Sequence, residues 1–344
     1  MDMKQARKAD KAKYTKASFD VVTLGSATRD VFVKSKMFER RNDPSAPDGF
    51  DACFPMGAKI PVEEIAFQTG GGATNAAVTL ARFGLRTACV SRIGDDLGGR
   101  EILTELKREG IDATGIQVDP KEHSAYSVIL LAGSGSRAIL VHRGAARKLD
   151  AASIPWPKLR GSWLYLTSVA GDAKALRAVF GQAKRSLMRV AWNPGNAELD
   201  LGFDRLLPWL MQTDVLILNR DEAAHLAGHP PRDLQRILNK LGPIPRQCLV
   251  LTDGAHGAYA HLRGSTWHAP AMKGKIINTT GAGDAFGSAF VAALIKQGDA
   301  MSGLKAATLN AHGVVTHMGA KAGILAAFPG KAAMAKTKVN PYAA

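Results

Sequence analysis

The 344-residue chain has only three cysteines, Cys53, Cys89 and Cys248. They lie far apart and are odd in number, which excludes a disulfide framework and a cysteine-based metal spacing. Such usage fits a reducing compartment, and a cytoplasmic location is the expectation. No apolar run reaches the roughly 20 residues of a membrane span, so no membrane partner is expected. The opening stretch, MDMKQARKADKAKYTKASFD, lacks the apolar core of a signal peptide. Aromatic residues make up only 6% of the chain and no nucleic-acid reading module is recognisable, so nucleic acid is not an expected partner. No Gly-x-x-x-x-Gly-Lys-Ser/Thr occurs, which excludes a Walker-type nucleotide hydrolase. His225 and His229 have the four-residue spacing of a helical zinc pair, but Gly228 lies between them, Pro230-Pro231 follows and no third ligand is evident.

What is present is positive charge and a large apolar fraction. Lys and Arg number 45 against 30 acidic residues, a net +15. Residues 1–19 carry +4 and residues 331–344 carry +3, so the two ends supply 7 of the 15. A basic body attracts anionic ligands. Apolar residues, at 46%, suffice for the core of one large domain or two.

Strands and helices alternate along the chain. Val21–Leu24 reads as a buried strand ending at Gly25, and 73–83 as a helix stopped by Gly84. A strand at 87–91 and a helix at 98–108 follow. Further strands are expected at 163–166, 189–192, 215–218 and 248–252, with helices from 173, near 203–211 and near 234–241. This order predicts an α/β fold with a mostly parallel central sheet covered on both faces. Two stretches break the alternation. Residues 126–131 and 138–141 flank Gly133-Ser134-Gly135-Ser136 as a β-hairpin. Residues 31–34 and 59–67 also look extended, and between them lies the Pro- and Gly-containing stretch 37–57.

Residues 279–290, Thr-Thr-Gly-Ala-Gly-Asp-Ala-Phe-Gly-Ser-Ala-Phe, carry the most chemistry. Gly281, Ala282 and Gly283 precede an apolar run, 285–295, with helical spacing and no proline. A helix N-terminus offers unpaired N–H groups and the positive end of the dipole, so it binds anions. Asp284 sits among those donors, and the glycines let a ligand approach the backbone. An anion hole beside a carboxylate suits phosphoryl transfer: amides hold the moving phosphate, and the carboxylate takes the proton of an attacking hydroxyl.

These residues resemble the signature of the PfkB family, the ribokinase-like carbohydrate and nucleoside kinases. There the pattern is Asp-Thr-x-Gly-Ala-Gly-Asp, and its last Asp is the catalytic base. The resemblance implies that role for Asp284, with Gly281, Ala282 and Gly283 forming the anion hole. The family's first Asp is Asn278 here. In many members that Asp helps bind a monovalent cation, so Asn278 and Thr280 mark the expected edge of a K+ site that lacks its charge. The resemblance also implies a ribokinase-like three-layer α/β/α domain over residues 19–328, with a small β-sheet lid built from about 31–68 and 123–145. Residues 1–18 and 329–344 are then basic tails, and 37–57 is an enlarged insertion in the lid. Family lids often dimerise, so a homodimer through the lid is expected.

Other motifs follow in family order. Gly70-Gly71-Gly72-Ala73-Thr74-Asn75 matches the Gly-Gly-x-x-x-Asn motif of the sugar site, which implicates Gly70, Gly71 and Asn75; true ribokinases usually carry Lys where Gly72 stands. Asp30 follows the first strand, at the sheet edge where α/β ligands bind, and by resemblance accepts sugar hydroxyls. Within 91–98, Gly94 is read as ligand-adjacent, and Asp95 and Asp96 as structural, one of them capping the next helix. Asn219 and Glu222 match Asn-x-x-Glu, with Glu222 holding Mg2+ through water; an N-terminal capping box is compatible with that. Thr252, Gly254 and Gly257 match the nucleotide loop. Asn193, in Asn193-Pro194-Gly195, and Asn310 complete the expected ATP contacts. Arg29, Arg137 and Arg143 are candidates for a phosphate on the acceptor.

The function expected is an ATP- and Mg2+-dependent kinase acting on a hydroxyl of a sugar or sugar derivative. A nucleoside kinase of the same family is the alternative. A silent sugar or nucleotide binder has only Asn278 in its favour. A dinucleotide-dependent oxidoreductase fails, because Phe286 stands where the third glycine of Gly-x-Gly-x-x-Gly belongs.

Overall fold

A computed structural model describes residues 18–45, 49–132 and 137–342. Most of the N-terminal basic stretch and the turn 133–136 lie outside the described residues.

Ten strands form the main sheet. In spatial order they are Asn340–Pro341, Ser265–Ala269, Ala258–Leu262, Cys248–Thr252, Val215–Asn219, Arg189–Trp192, Gly161–Leu166, Phe19–Leu24, Thr87–Gly94 and Asp112–Asp119. From Cys248–Thr252 to Asp112–Asp119 every pairing is parallel. The remaining edge is antiparallel. The inner parallel strands read as continuous apolar runs because both of their faces are covered, whereas the edge strand Asp112–Asp119 is mixed and half exposed. Val22, Leu164, Leu166 and Leu216 pack with Leu176, Phe180, Leu206 and Ile237 from helices on one side. Val21, Tyr165, Ala191 and Ile217 pack with Ala76, Leu80, Phe290 and Leu304 on the other. The result is three layers. The helix Ala282–Gln297 is apolar all round, and its residues from Ala285 to Leu294 are buried, as expected of a helix that no solvent face reaches.

A second sheet of four strands lies beside this core: Glu64–Gly70, Thr28–Ser35, Ala125–Ala132 and Arg137–His142. It uses the stretches expected for the lid. The extended part of the first stretch begins at Glu64, later than residue 59. The insertion contributes a two-stranded ribbon, Glu39–Asn42 against Phe50–Cys53.

The C-terminal stretch differs from the expected basic tail. Met334 and Thr337 are buried, Asn340 and Pro341 pair with His268 and Trp267, and the Tyr342 ring meets Tyr259 edge-on at 5.0 Å. The stretch covers an open sheet edge. Lys336 and Lys338 point outward on either side of Thr337, which is why composition alone reads as solvated.

Candidate active site

The signature turn sits at the carboxyl end of the parallel strands. Gly281 caps the helix Ala282–Gln297 in the left-handed conformation, φ 79°. A Cβ there would lie 2.6 Å from Cβ of Ala320, so both backbone and space require glycine. The Ala282 N–H turns back to the Thr279 carbonyl at 3.3 Å, and Ala285 N–H donates to Gly281 O at 2.9 Å. Ala282 is therefore partly engaged. Gly283 and Asp284 keep N–H groups with no hydrogen-bond partner among the described residues. A Cβ on Gly283 would meet nothing within 4 Å, so this part of the turn faces open space.

Asp284 retains some accessible surface, yet protein atoms surround its carboxyl group. That desolvation raises its pKa above the usual carboxylate range, opposed by the Asn75 hydrogen bond and the positive charge of Lys321, with the nearby Asp30 charge adding to the rise. Asn75 Nδ2 donates to Asp284 Oδ2 at 2.8 Å, while Asn75 Oδ1 is buried without a partner. Asp30 is 4% exposed and accepts from Thr28 Oγ1 at 2.8 Å. Burial raises its pKa too, against hydrogen bonds from Thr28 and Ser127. Asp30, Asn75 and Asp284 thus converge from a second-sheet strand and two helices. Gly70 and Gly71 make this approach feasible. A Cβ on Gly70 would fall 1.9 Å from Asp30 Oδ2, and one on Gly71, at φ 96°, 2.6 Å from Ser26 O.

The structure brings Thr252, Gly254 and Gly257 into one cleft of about 500 Å³ with Ala282 and Gly283, floored by Phe286. Asn219 and Glu222 lie in a neighbouring concavity with Asp221 and His225. They form the expected capping box: Asn219 Oδ1 accepts Glu222 N–H and Glu222 Oε2 accepts Asn219 N–H, each at 2.8 Å. Burial raises the Glu222 pKa, and the charges of Asp284 and Asp221 add to it. A carboxylate that senses a second one, with one oxygen still unassigned, suits a divalent cation held through water. Among the described residues no trio of His, Cys, Asp or Glu is grouped to hold a metal ion. Asn193 Nδ2 donates to Ile217 O at 2.9 Å, tying its loop to the adjacent strand.

Several expectations change. Asn310 does not reach the cleft: it is 0% exposed, donates to Thr79 Oγ1 and Ala285 O, and accepts from Leu325 N–H. It ties three segments together, and its complete burial keeps it from a nucleotide in the cleft. Gly94 packs on the chain rather than a ligand, since a Cβ there would lie 2.4 Å from Glu122 O. Asp96 is the helix cap, as expected of one of that acidic pair, accepting from Gly99 N–H at 2.8 Å. Asn278 spends its oxygen on Thr280 N–H at 3.1 Å, leaving Nδ2 buried and unpartnered beside an equally unpartnered Thr280 Oγ1. A buried N–H donor opposes a cation, so the pair fits K+ poorly. Arg29 is ion-paired with Glu101, and its guanidinium lies over the Phe67 and Tyr126 rings. The side chain of Arg137 lies outside the described residues. His225 faces Asp200 at 3.5 Å.

Glu198 was not legible in the sequence. It is 0% exposed, and its carboxylate accepts from Ser168 Oγ, Val169 N–H, Gly171 N–H and Gly195 N–H. It fixes the two loops that follow adjacent strands at the cleft edge. A lone Glu one turn after an Asn-Pro-Gly loop gives no pattern to mark it.

The pfkB family carbohydrate kinase model matches residues 42–327. A fructokinase of Klebsiella pneumoniae is 30% identical over 243 residues, covering 67% of this chain and 78% of its own. Among solved structures, the nucleoside kinase of Methanocaldococcus jannaschii superposes with a TM-score of 0.72 at 20% identity, covering 90% of this chain and 96% of its own. An E. coli protein assigned as ribokinase II, in complex with ATP and Mg2+, does so at 0.73 and 19%, covering 89% and 96%. These two likenesses concern the fold.

Proposed function

The chain belongs to the pfkB family of carbohydrate kinases, phosphotransferases that act on hydroxyl groups, and from that premise we propose that it moves the γ-phosphoryl group of ATP to a hydroxyl of an unphosphorylated sugar. The observation that carries this reading is the Asp284 carboxylate, hydrogen-bonded to Asn75 and set beside the free N–H groups of Gly283 and Asp284 itself. Asp284 takes the proton of the acceptor hydroxyl as its oxygen attacks the γ-phosphorus. The bond to the β,γ-bridging oxygen breaks, and ADP leaves. Those N–H groups and the helix dipole stabilise charge on the transferred group. Asp30 and Asn75 hold acceptor hydroxyls, and Thr252, Gly254 and Gly257 border the nucleotide. Glu222 would hold Mg2+ through water, and the ion would neutralise phosphate charge.

Sugar is favoured over nucleoside by what lies beyond Asp30. Phe32 follows it on the same strand face, pairs across to Ala66 and Ile129, and is closed over by Met318. That face is therefore filled by the chain's own side chains and leaves no open apolar slot for a base. The engagement of Arg29 by Glu101 favours an acceptor without its own phosphate. Closing the second sheet over this site excludes water and limits wasteful ATP hydrolysis. Ile65, Phe67 and Leu140 are each more than half exposed on that sheet, a surface suited to a second copy of the chain. Sedimentation equilibrium tests it, and a monomer at all concentrations would remove that part of the reading.

The deciding experiment is ATP consumption with Mg2+ over fructose, ribose, deoxyribose, their phosphates and nucleosides, with Asp284→Asn as control. A neutral sugar should turn over, and the variant should lose about 10²–10⁴-fold in rate while still binding ATP. Turnover with nucleosides alone would replace the sugar reading. The donor presented by Asn278 predicts equal rates in K+ and in tetramethylammonium salts; strong activation by K+ would restore a cation to that loop.

A further inference from the structure

Lys321 has the chemistry of a functional residue in a place no motif marks. Only 5% exposed, its Nζ donates to Thr69 Oγ1 at 2.8 Å and to Glu105 Oε2 at 2.5 Å. Thr69 Oγ1 in turn donates to Glu105. The cluster joins three distant segments: the base of the second sheet, the helix Leu97–Arg108 and the loop after the helix Ala300–Val315. The residue before Lys321 is Ala320, the one that crowds Gly281 in the signature turn. The residue after Thr69 is Gly70, which packs against the Asp30 carboxylate. A buried cation therefore sits between the backbone supports of both carboxylates, and its field reaches each of them.

We propose that Lys321 is a positioning residue for the transfer: it clamps the second-sheet base to the signature turn and places a positive charge behind Asp30 and Asp284. The proposal rests on the kinase reading only for its effect on rate. Its electrostatic part stands on the cluster itself. Water screens a surface ion pair, but a charge this deep acts over a longer range. The other groups facing Asp284 are Asp30 from the second sheet, Glu222 across the cleft and Tyr165 from the main sheet. Those around Lys321 are Glu105, with Arg108 and Arg82 near that carboxylate, and Cys89 beneath.

The test uses the full chain labelled with [13C]carboxyl aspartate, the Asp284 signal being the one lost in Asp284→Asn. Lys321→Met should move its titration midpoint upward by about one pH unit. Glu105→Gln, which removes the counter-charge and leaves the ammonium, should move it downward. Opposite displacements support the proposal. Midpoints unmoved in both variants, whatever happens to stability, overturn it. If Lys321→Met does not fold, the direction of the Glu105→Gln shift decides alone. Wild-type-like turnover in Asp284→Asn would refute the base assignment and leave this titration still decisive for Lys321.

Discussion

At Asp284 burial and catalysis pull in opposite directions. A base must be ionised to accept a proton, yet its surroundings favour the neutral acid. Its folded pKa is raised above the unfolded value, so the carboxyl group costs the fold nothing below the usual carboxylate range and destabilises it as pH rises past that range. Asp284→Asn should therefore raise the thermal midpoint at pH 8, with the gain shrinking to nothing near pH 3. A gain that grew on acidification would contradict the sign. Glu198 has the opposite character, with every hydrogen bond spent on loop geometry. Glu198→Ala strands the N–H groups of Val169, Gly171 and Gly195, each costing about 1–3 kcal/mol when buried unpaired. A loss of at least about 3 kcal/mol in urea unfolding is expected, and a loss under 1 kcal/mol would mean water replaces the carboxylate.

Among the elements, the signature helix and the parallel strands other than Asp112–Asp119 were legible in the sequence. Val21–Leu24 and Cys248–Thr252 are apolar runs bounded by turns, and the glycine turn before residue 285 announces a helix start. The antiparallel edge was not legible. Ser265–Ala269 mixes Thr266, Trp267 and His268 without a clean alternation, because its outer neighbour is the chain's own C-terminus. The helix Ala300–Val315 carries Gly303 and Gly313, residues that local propensity assigns to turns. Its packing explains them: a Cβ at Gly303 would lie 2.8 Å from the Phe290 ring, and one at Gly313 would lie 2.3 Å from Gly323 O. Within the site, the sequence marks Asp30, Asp284, Glu222 and the glycines of the signature turn as candidates, whereas Gly94 and Asn310 serve packing and Glu198 carries no pattern that marks it. A polar side chain's partners come from distant segments that local pattern does not reveal. At the signature turn, Gly281→Ala combines about 1–2 kcal/mol of left-handed strain with a clash against Ala320. Activity should fall more steeply than stability, as read by kcat against the thermal midpoint. Equal activity would mean the turn relaxes without moving its amides.

For the molecule as a whole, the sheet is finished by its last described residues. Removing residues 339–344 exposes the strand Ser265–Ala269 and the Tyr259 ring. A lower melting temperature and concentration-dependent light scattering should follow, and an unchanged monodisperse protein would show that the edge needs no cover.

The buried clamp at Lys321 also sets a timetable for the ribosome. Asp30 is made about 290 residues before Lys321 and the loop that braces Gly281. A nascent chain stalled before residue 321 has every strand of the parallel part of the sheet and still lacks the segment that braces Gly281.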